Sequence, residues 1–133
     1  MISAVIDASV AVKWFASESD SSAARRLLDV VEPFAPDWLL LEVAHVAERA
    51  RRNGVLSAEQ CRGVVEMLEA AVTLVSARQH VAAAQELAAE RGLSVYDAIY
   101  LALALDYRLP LITADMELAA AGGVHLADFV RRL

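Results

Sequence analysis

The sequence contains one cysteine, one lysine, three prolines and no long apolar run. Each scarcity excludes something. Cys61 has no partner for an internal disulfide and cannot supply a thiolate metal cluster, which fits a reducing, cytoplasmic compartment. The apolar run over residues 99–105 is far short of the ~18 residues needed to span a bilayer, so no membrane association is expected. Residues 1–7 carry no basic start and reach an acid at Asp7, unlike a signal peptide. Metal-free cleavage of a phosphodiester wants a histidine pair or a lysine at the phosphate. Here His45, His80 and His125 are scattered and Lys13 stands alone, so that route is set aside.

What is present reads as one globular domain over residues 1–133. Hydrophobic residues make up 58% and charged residues 23%, enough to bury a core without disulfides or a structural metal. The net charge of −6 counts at first against a nucleic-acid partner, because phosphate binding favours a basic surface. Several arginines cluster, however, at Arg25 and Arg26, at Arg49 with Arg51 and Arg52, and at Arg131 and Arg132. Each cluster reads more readily as a solvated helix end, so the charge counts neither for nor against such a partner.

Residues 3–7 read as a short buried strand, followed at once by a helix over 8–16. A second helix spans 20–31, with Ala23, Leu27, Val30 and Val31 on one face. Pro33 and Pro36 bracket a link with a one- or two-residue strand at Phe34. Asp37 can cap a long helix that Asn53 and Gly54 stop. Ser57 and Gln60 have the spacing of a capping box, opening the next helix. Residues 72–75 are a β-branched, apolar strand. The spacing of Val81, Ala84, Leu87 and Ala88 predicts a helix over 77–91, ended by Gly92. Ser94 then starts a helix that is apolar nearly all round through Leu105, hence buried. Residues 111–113 form a strand entered through Pro110. Asp115 opens a short helix closed by Gly122 and Gly123, and 124–126 make a last short strand. Short apolar strands alternating with helices predict an α/β fold, a short parallel sheet covered on both faces. In such sheets ligands bind beyond the carboxyl ends of the strands, where Asp7 and Asp115 both fall and can meet.

Four acids carry the functional reading: Asp7, Glu42, Asp97 and Asp115. Asp7, Asp97 and Asp115 each also read as helix caps. Glu42 is different, because Trp38, Leu39 and Val46 lie three or four residues away on the same helix. A carboxylate beside that apolar stripe costs several kcal/mol unless it is exposed, protonated, paired or metal-bound. His45 or Arg49 could pair with it. Asp97 faces the same test, since Ile99, Tyr100 and Leu101 follow it into a buried helix. Brought together empty, four acids repel, and a divalent cation resolves the repulsion. Oxygen ligands without a Cys or His grouping select magnesium or manganese over zinc. Ser9 and Thr113, each two residues from an acid, could orient a carboxylate or a water. Two such cations add four positive charges, taking the balance from −6 to −2. The chemistry that suits the site is phosphodiester hydrolysis, with two metals about 4 Å apart serving the water and the leaving oxygen.

Ile6-Asp7-Ala8-Ser9-Val10 with Lys13-Trp14-Phe15, then Pro36 through Glu42-Val43, then Ser94 through Tyr100, then Thr113-Ala114-Asp115, resemble the PIN-domain ribonucleases, and within them the VapC toxins. The resemblance spans the chain in order. It implies a three-layer α/β/α sandwich and a magnesium- or manganese-dependent endoribonuclease acting on an RNA substrate. It also implies a homodimer and a cognate antitoxin protein whose tail lies across the active site. The family's acids fall on Asp7, Glu42, Asp97 and Asp115, and its small hydroxyls on Ser9 and Thr113. Two positions depart from the pattern: His45 stands where asparagine is common, and Met116-Glu117 where basic or polar residues are common. Glu117 reads as an outer acid or an exposed helical glutamate. Trp14 and Phe15 point about 100° apart on a helix, toward the core or toward an apolar groove for the antitoxin.

Three rival readings stand beside this one, and the residues count against the first two. A PIN-fold binding module without nuclease activity would have no reason to keep Glu42 in an apolar stripe. A phosphatase of the haloacid-dehalogenase type wants a second aspartate where Ser9 stands. A DNA-directed nuclease would use the same four acids.

Overall fold

In the computed structural model, which describes residues 1–133, the chain runs β1 (Ile2–Ile6), α1 (Ala8–Ala11), α2 (Ser21–Val30), β2 (Val31–Pro36), α3 (Trp38–Arg52), α4 (Ala58–Ala71) and β3 (Thr73–Val75). It continues with α5 (Val81–Arg91), α6 (Val95–Tyr107), β4 (Leu111–Thr113), α7 (Met116–Ala121), β5 (Val124–His125) and α8 (Leu126–Arg131). All strand pairs are parallel, in the order β3-β2-β1-β4-β5. Right-handed crossovers put α1 to α4 on one face and α5 to α7 on the other. The packing agrees: α3 lies against α1 and α4, α2 against α8, and α6 against α5 and the sheet. The result is the expected three-layer α/β/α sandwich. No helix is long and apolar enough to cross a membrane.

Burial follows from this arrangement. Ala4, Val5 and Ile6 of the central strand are wholly buried, as a parallel strand covered on both faces requires. Residues 98–104 of α6 are buried without interruption, so the helix shows no amphipathic stripe. Together these elements contribute to one cluster of 28 buried apolar residues. The capping box of α4 forms in full: Gln60 N–H donates to Ser57 Oγ at 3.0 Å and Ser57 N–H to Gln60 Oε1 at 2.8 Å.

Several elements differ from the sequence expectation. The helix expected over 8–16 is α1 plus a single 3-10 turn, Val12–Trp14. Tightening the turn goes with a core position for Trp14, whose indole N–H donates to Ala24 O at 2.9 Å. Phe15 is half-buried and borders a shallow cavity with Leu56 and Met67. The strand expected only at Phe34 is six residues long, because β1 and β3 flank it. Its prolines fit there because the ladder to β3 begins opposite Phe34 and ends opposite Pro36. The helix expected from residue 77 begins with a 3-10 turn, Ala77–His80. Leu126 leaves the last strand and starts α8, which six residues are too few to announce by periodicity.

Gly122, which ends α7, adopts φ of 151°. A Cβ there would stand 2.9 Å from Arg91 Nη1 and 3.0 Å from Leu101 Cδ1. Gly122→Ala is therefore expected to destabilise the fold by about 1–3 kcal/mol, read as a lower urea midpoint with an unchanged slope.

Candidate active site

The strand order places a topological switch point between β1 and β4. From β1 the chain moves outward through β2 to β3, and only then crosses back to β4. Register does the rest. Val5 pairs with Leu111 and Ile6 with Ile112, so Asp7 leaves β1 beside Thr113, the last residue of β4. Thr113 Oγ1 donates to Asp7 Oδ2 at 2.7 Å, and Ser9 Oγ donates to Asp7 Oδ1 at 2.6 Å. Val10 N–H reaches the same Oδ1 at 3.3 Å, so Asp7 also caps α1. The two hydroxyls lie 3.2 Å apart and tie down the β4 side: Ala114 N–H donates to Ser9 Oγ and Asp115 N–H to Thr113 Oγ1. Asp7 is only 5% exposed. Burial pushes its carboxyl above the usual range against the pull of these donors, and the charge of Asp97 adds to the rise.

Glu42 comes from α3, which starts directly after β2 at the same end of the sheet. It is half-buried, and Tyr100 of α6 donates its hydroxyl to Oε1 at 2.5 Å. Burial raises its carboxyl most, and the charges of Asp97 and Asp7 raise it further. The Trp38 indole N–H lies near this carboxylate without closing a hydrogen bond, leaving that buried donor unpartnered. Tyr100 itself is held far above its ordinary range by burial and by Glu42, so its hydroxyl acts as a donor.

Asp97 enters in the first turn of α6, whose cap is Ser94; Ser94 Oγ accepts from Asp97 N–H at 3.1 Å. Burial and the charge of Asp115 raise its carboxyl, with Glu117 contributing last. Asp115 caps α7, accepting from Glu117 and Leu118 N–H at 2.8 and 3.2 Å. Glu117 is exposed. Asp7 and Asp115 thus do cap helices, while Asp97 lies in the first turn behind the Ser94 cap. Beyond the carboxyl edge of the sheet, Asp7 and Glu42 sense the charge of Asp97, Glu42 also that of Asp7, and Asp97 that of Asp115. Their side chains do not stand in coordinating geometry for an ion, and no other group of three acids, histidines or cysteines does either.

The sequence did not point to Tyr100 as the partner of Glu42, although a tyrosine in an otherwise aliphatic buried helix needs an outlet for its hydroxyl. The partners considered for Glu42, His45 and Arg49, instead meet each other, with Arg49 Nη2 at 3.3 Å from His45 Nε2. The groups a metal-free route would use are engaged elsewhere. Lys13 pairs with Glu18 and Asp20, His80 with Asp106, and His125 caps α8. The largest cavity, about 520 Å³ between α5 and α6, contains none of the four acids; one of about 500 Å³ borders Glu42.

The sequence pattern of the PIN domain matches residues 4–124, a span that includes all four acids. The chain belongs to the PIN domain family. Within it, the chain groups with the VapC proteins: it is 31% identical over 121 residues to Ribonuclease VapC1 of Mycobacterium tuberculosis, in strains CDC 1551 and H37Rv alike, covering 90% of this chain and 91% of that protein. Solved structures share the PIN fold at lower identity. The crystal structure of PAE2754 from Pyrobaculum aerophilum superposes with a TM-score of 0.75 at 19% identity, over 98% of this chain and 94% of that one. A toxin–antitoxin complex from Klebsiella pneumoniae gives 0.65 at 22% identity, over 88% and 90%.

Proposed function

We propose that this PIN domain is a magnesium- or manganese-dependent endoribonuclease, the toxin of a type II toxin–antitoxin pair. The observation that carries the reading is Asp7: a buried carboxylate, aimed by two hydroxyls at the switch point, with Asp97 close enough to raise it and with both charges raising Glu42. Buried acids that repel each other and have no cationic side chain among them suit a divalent cation. The all-oxygen donor set fits a hard ion, and Asp7, Glu42, Asp97 and Asp115 are the residues that would hold it. When bound, such an ion offsets charge on the phosphoryl oxygens and makes a water easier to deprotonate. The chain's own work is positional. Ser9 and Thr113 fix the oxygens of Asp7, Tyr100 orients Glu42, and Ser94 anchors the turn that presents Asp97. RNA as the substrate is supported by the likeness to Ribonuclease VapC1, and a protein antitoxin by that likeness and by the Klebsiella complex. A homodimer and a cytoplasmic location complete the reading, on the family resemblance.

The test is direct. Purified protein is expected to cleave RNA internally with magnesium or manganese, to leave DNA of the same sequence intact, and to lose activity in EDTA. Equal cleavage in EDTA would sink the metal requirement, and equal cleavage of DNA would favour a general nuclease. Specific RNA binding without any cleavage would favour the binding-module alternative.

A further inference from the structure

We infer that Tyr96, stacked on Trp38, is the platform for an unstacked nucleobase of the RNA next to the scissile phosphate. The inference deepens the ribonuclease reading and rests on it. The two rings lie 5.1 Å apart between centroids and 4° from parallel. Trp38 sits one helical turn before Glu42 on α3, and Tyr96 immediately precedes Asp97 on α6, so the pair joins the two elements that carry these acids. Tyr96 is 62% exposed, an unusual position for an aromatic ring already committed to a stack. It borders the cavity of about 500 Å³ whose other walls are Trp38, Leu41, Glu42 and His45. That volume lies within the range of small-ligand sites, and an apolar, aromatic wall beside a phosphate-processing centre suits a base.

Charge supports the same occupant. At 100° per residue, Trp38, Glu42, His45 and Arg49 lie within an arc of about 60° on α3. Arg49 reaches His45 rather than a carboxylate, whereas Arg51 and Arg52 of the same helix are bound to Glu48. A phosphodiester strand crossing the acids would therefore meet an aromatic face and then a guanidinium with no carboxylate partner, the usual elements of a single-strand groove.

The test uses the full chain and 5′-labelled hexaadenylate. Wild type, Tyr96→Ala and Tyr96→Phe are compared for KM and kcat with manganese, for binding by fluorescence anisotropy in EDTA, and for mass by light scattering. Stacking of one base is worth roughly 5- to 100-fold in affinity. Tyr96→Ala is expected to weaken binding and raise KM by about tenfold, with kcat within about twofold, and Tyr96→Phe to restore both. Unchanged binding and KM in Tyr96→Ala overturn the inference, as does a fall in kcat alone, which would make Tyr96 only a support for Glu42. A change of oligomeric state in the alanine variant also overturns it, assigning the face to a second copy. If wild type cleaves no RNA at all, the ribonuclease reading itself fails, and anisotropy still reports on the platform.

Discussion

Asp7→Asn is expected to abolish RNA cleavage while leaving the fold intact. Asp7 is the most buried of the four acids and the most constrained, with both oxygens engaged by Ser9, Thr113 and Val10. An asparagine keeps the shape and one acceptor oxygen, so α1 can still be capped. It removes the negative charge a cation requires, and the loss should exceed the roughly 10- to 100-fold typical of an outer-shell partner. The same substitution has a stability signature. The carboxyl of Asp7 is raised in the folded state above the unfolded value of 3.8. Its contribution is thus fully favourable below that pH and is lost as pH rises through the folded value. Asparagine has no such titration. In EDTA, the Tm of the variant relative to wild type is expected to rise between pH 4 and pH 8. A parallel pair of Tm profiles would mean that Asp7 is not a strained buried charge; retained cleavage would remove it from the site.

Manganese should stabilise the wild-type protein, and more at pH 8 than at pH 5. Asp7, Glu42 and Asp97 all have raised carboxyls, so without a cation the folded state becomes less favourable as these groups ionise. A cation bound only by the folded chain opposes this, contributing about 2.7 kcal/mol at 100 times its Kd, or several degrees in Tm. Lowering the pH through the raised values puts protons in competition with the ion, and the shift shrinks. Asp97→Asn should reduce the shift at pH 8, since Asp97 feels Asp115 and is felt by Asp7 and Glu42. A manganese shift that is equal at both pH values, or untouched by Asp97→Asn, would place the ion elsewhere.

How legible this protein is varies from element to element. Strands β1, β3 and β4 and helices α3, α4 and α6 can be read from the sequence, because apolar runs, prolines, glycines and cap residues are local signals. The shortened α1 cannot, since the tightened turn that follows it goes with the reach of Trp14 to Ala24, ten residues away and in another helix. The six-residue β2 is hidden by its two prolines, which only the positions of β1 and β3 make acceptable.

The site divides in the same way. The sequence alone determined that Glu42 sits on or beside the apolar stripe of its helix, that Asp7 and Asp115 lie at or just beyond strand ends, and that hydroxyls stand two residues from Asp7 and Asp115. These are properties of neighbours along the chain. Tertiary structure alone decided that Asp7 leaves the sheet beside Thr113, that Tyr100 rather than His45 or Arg49 holds Glu42, and that Trp38 meets Tyr96. Register and the meeting of side chains from α3 and α6 at the carboxyl edge of the sheet are set by packing the whole core, and no local pattern encodes a contact between residues 58 positions apart.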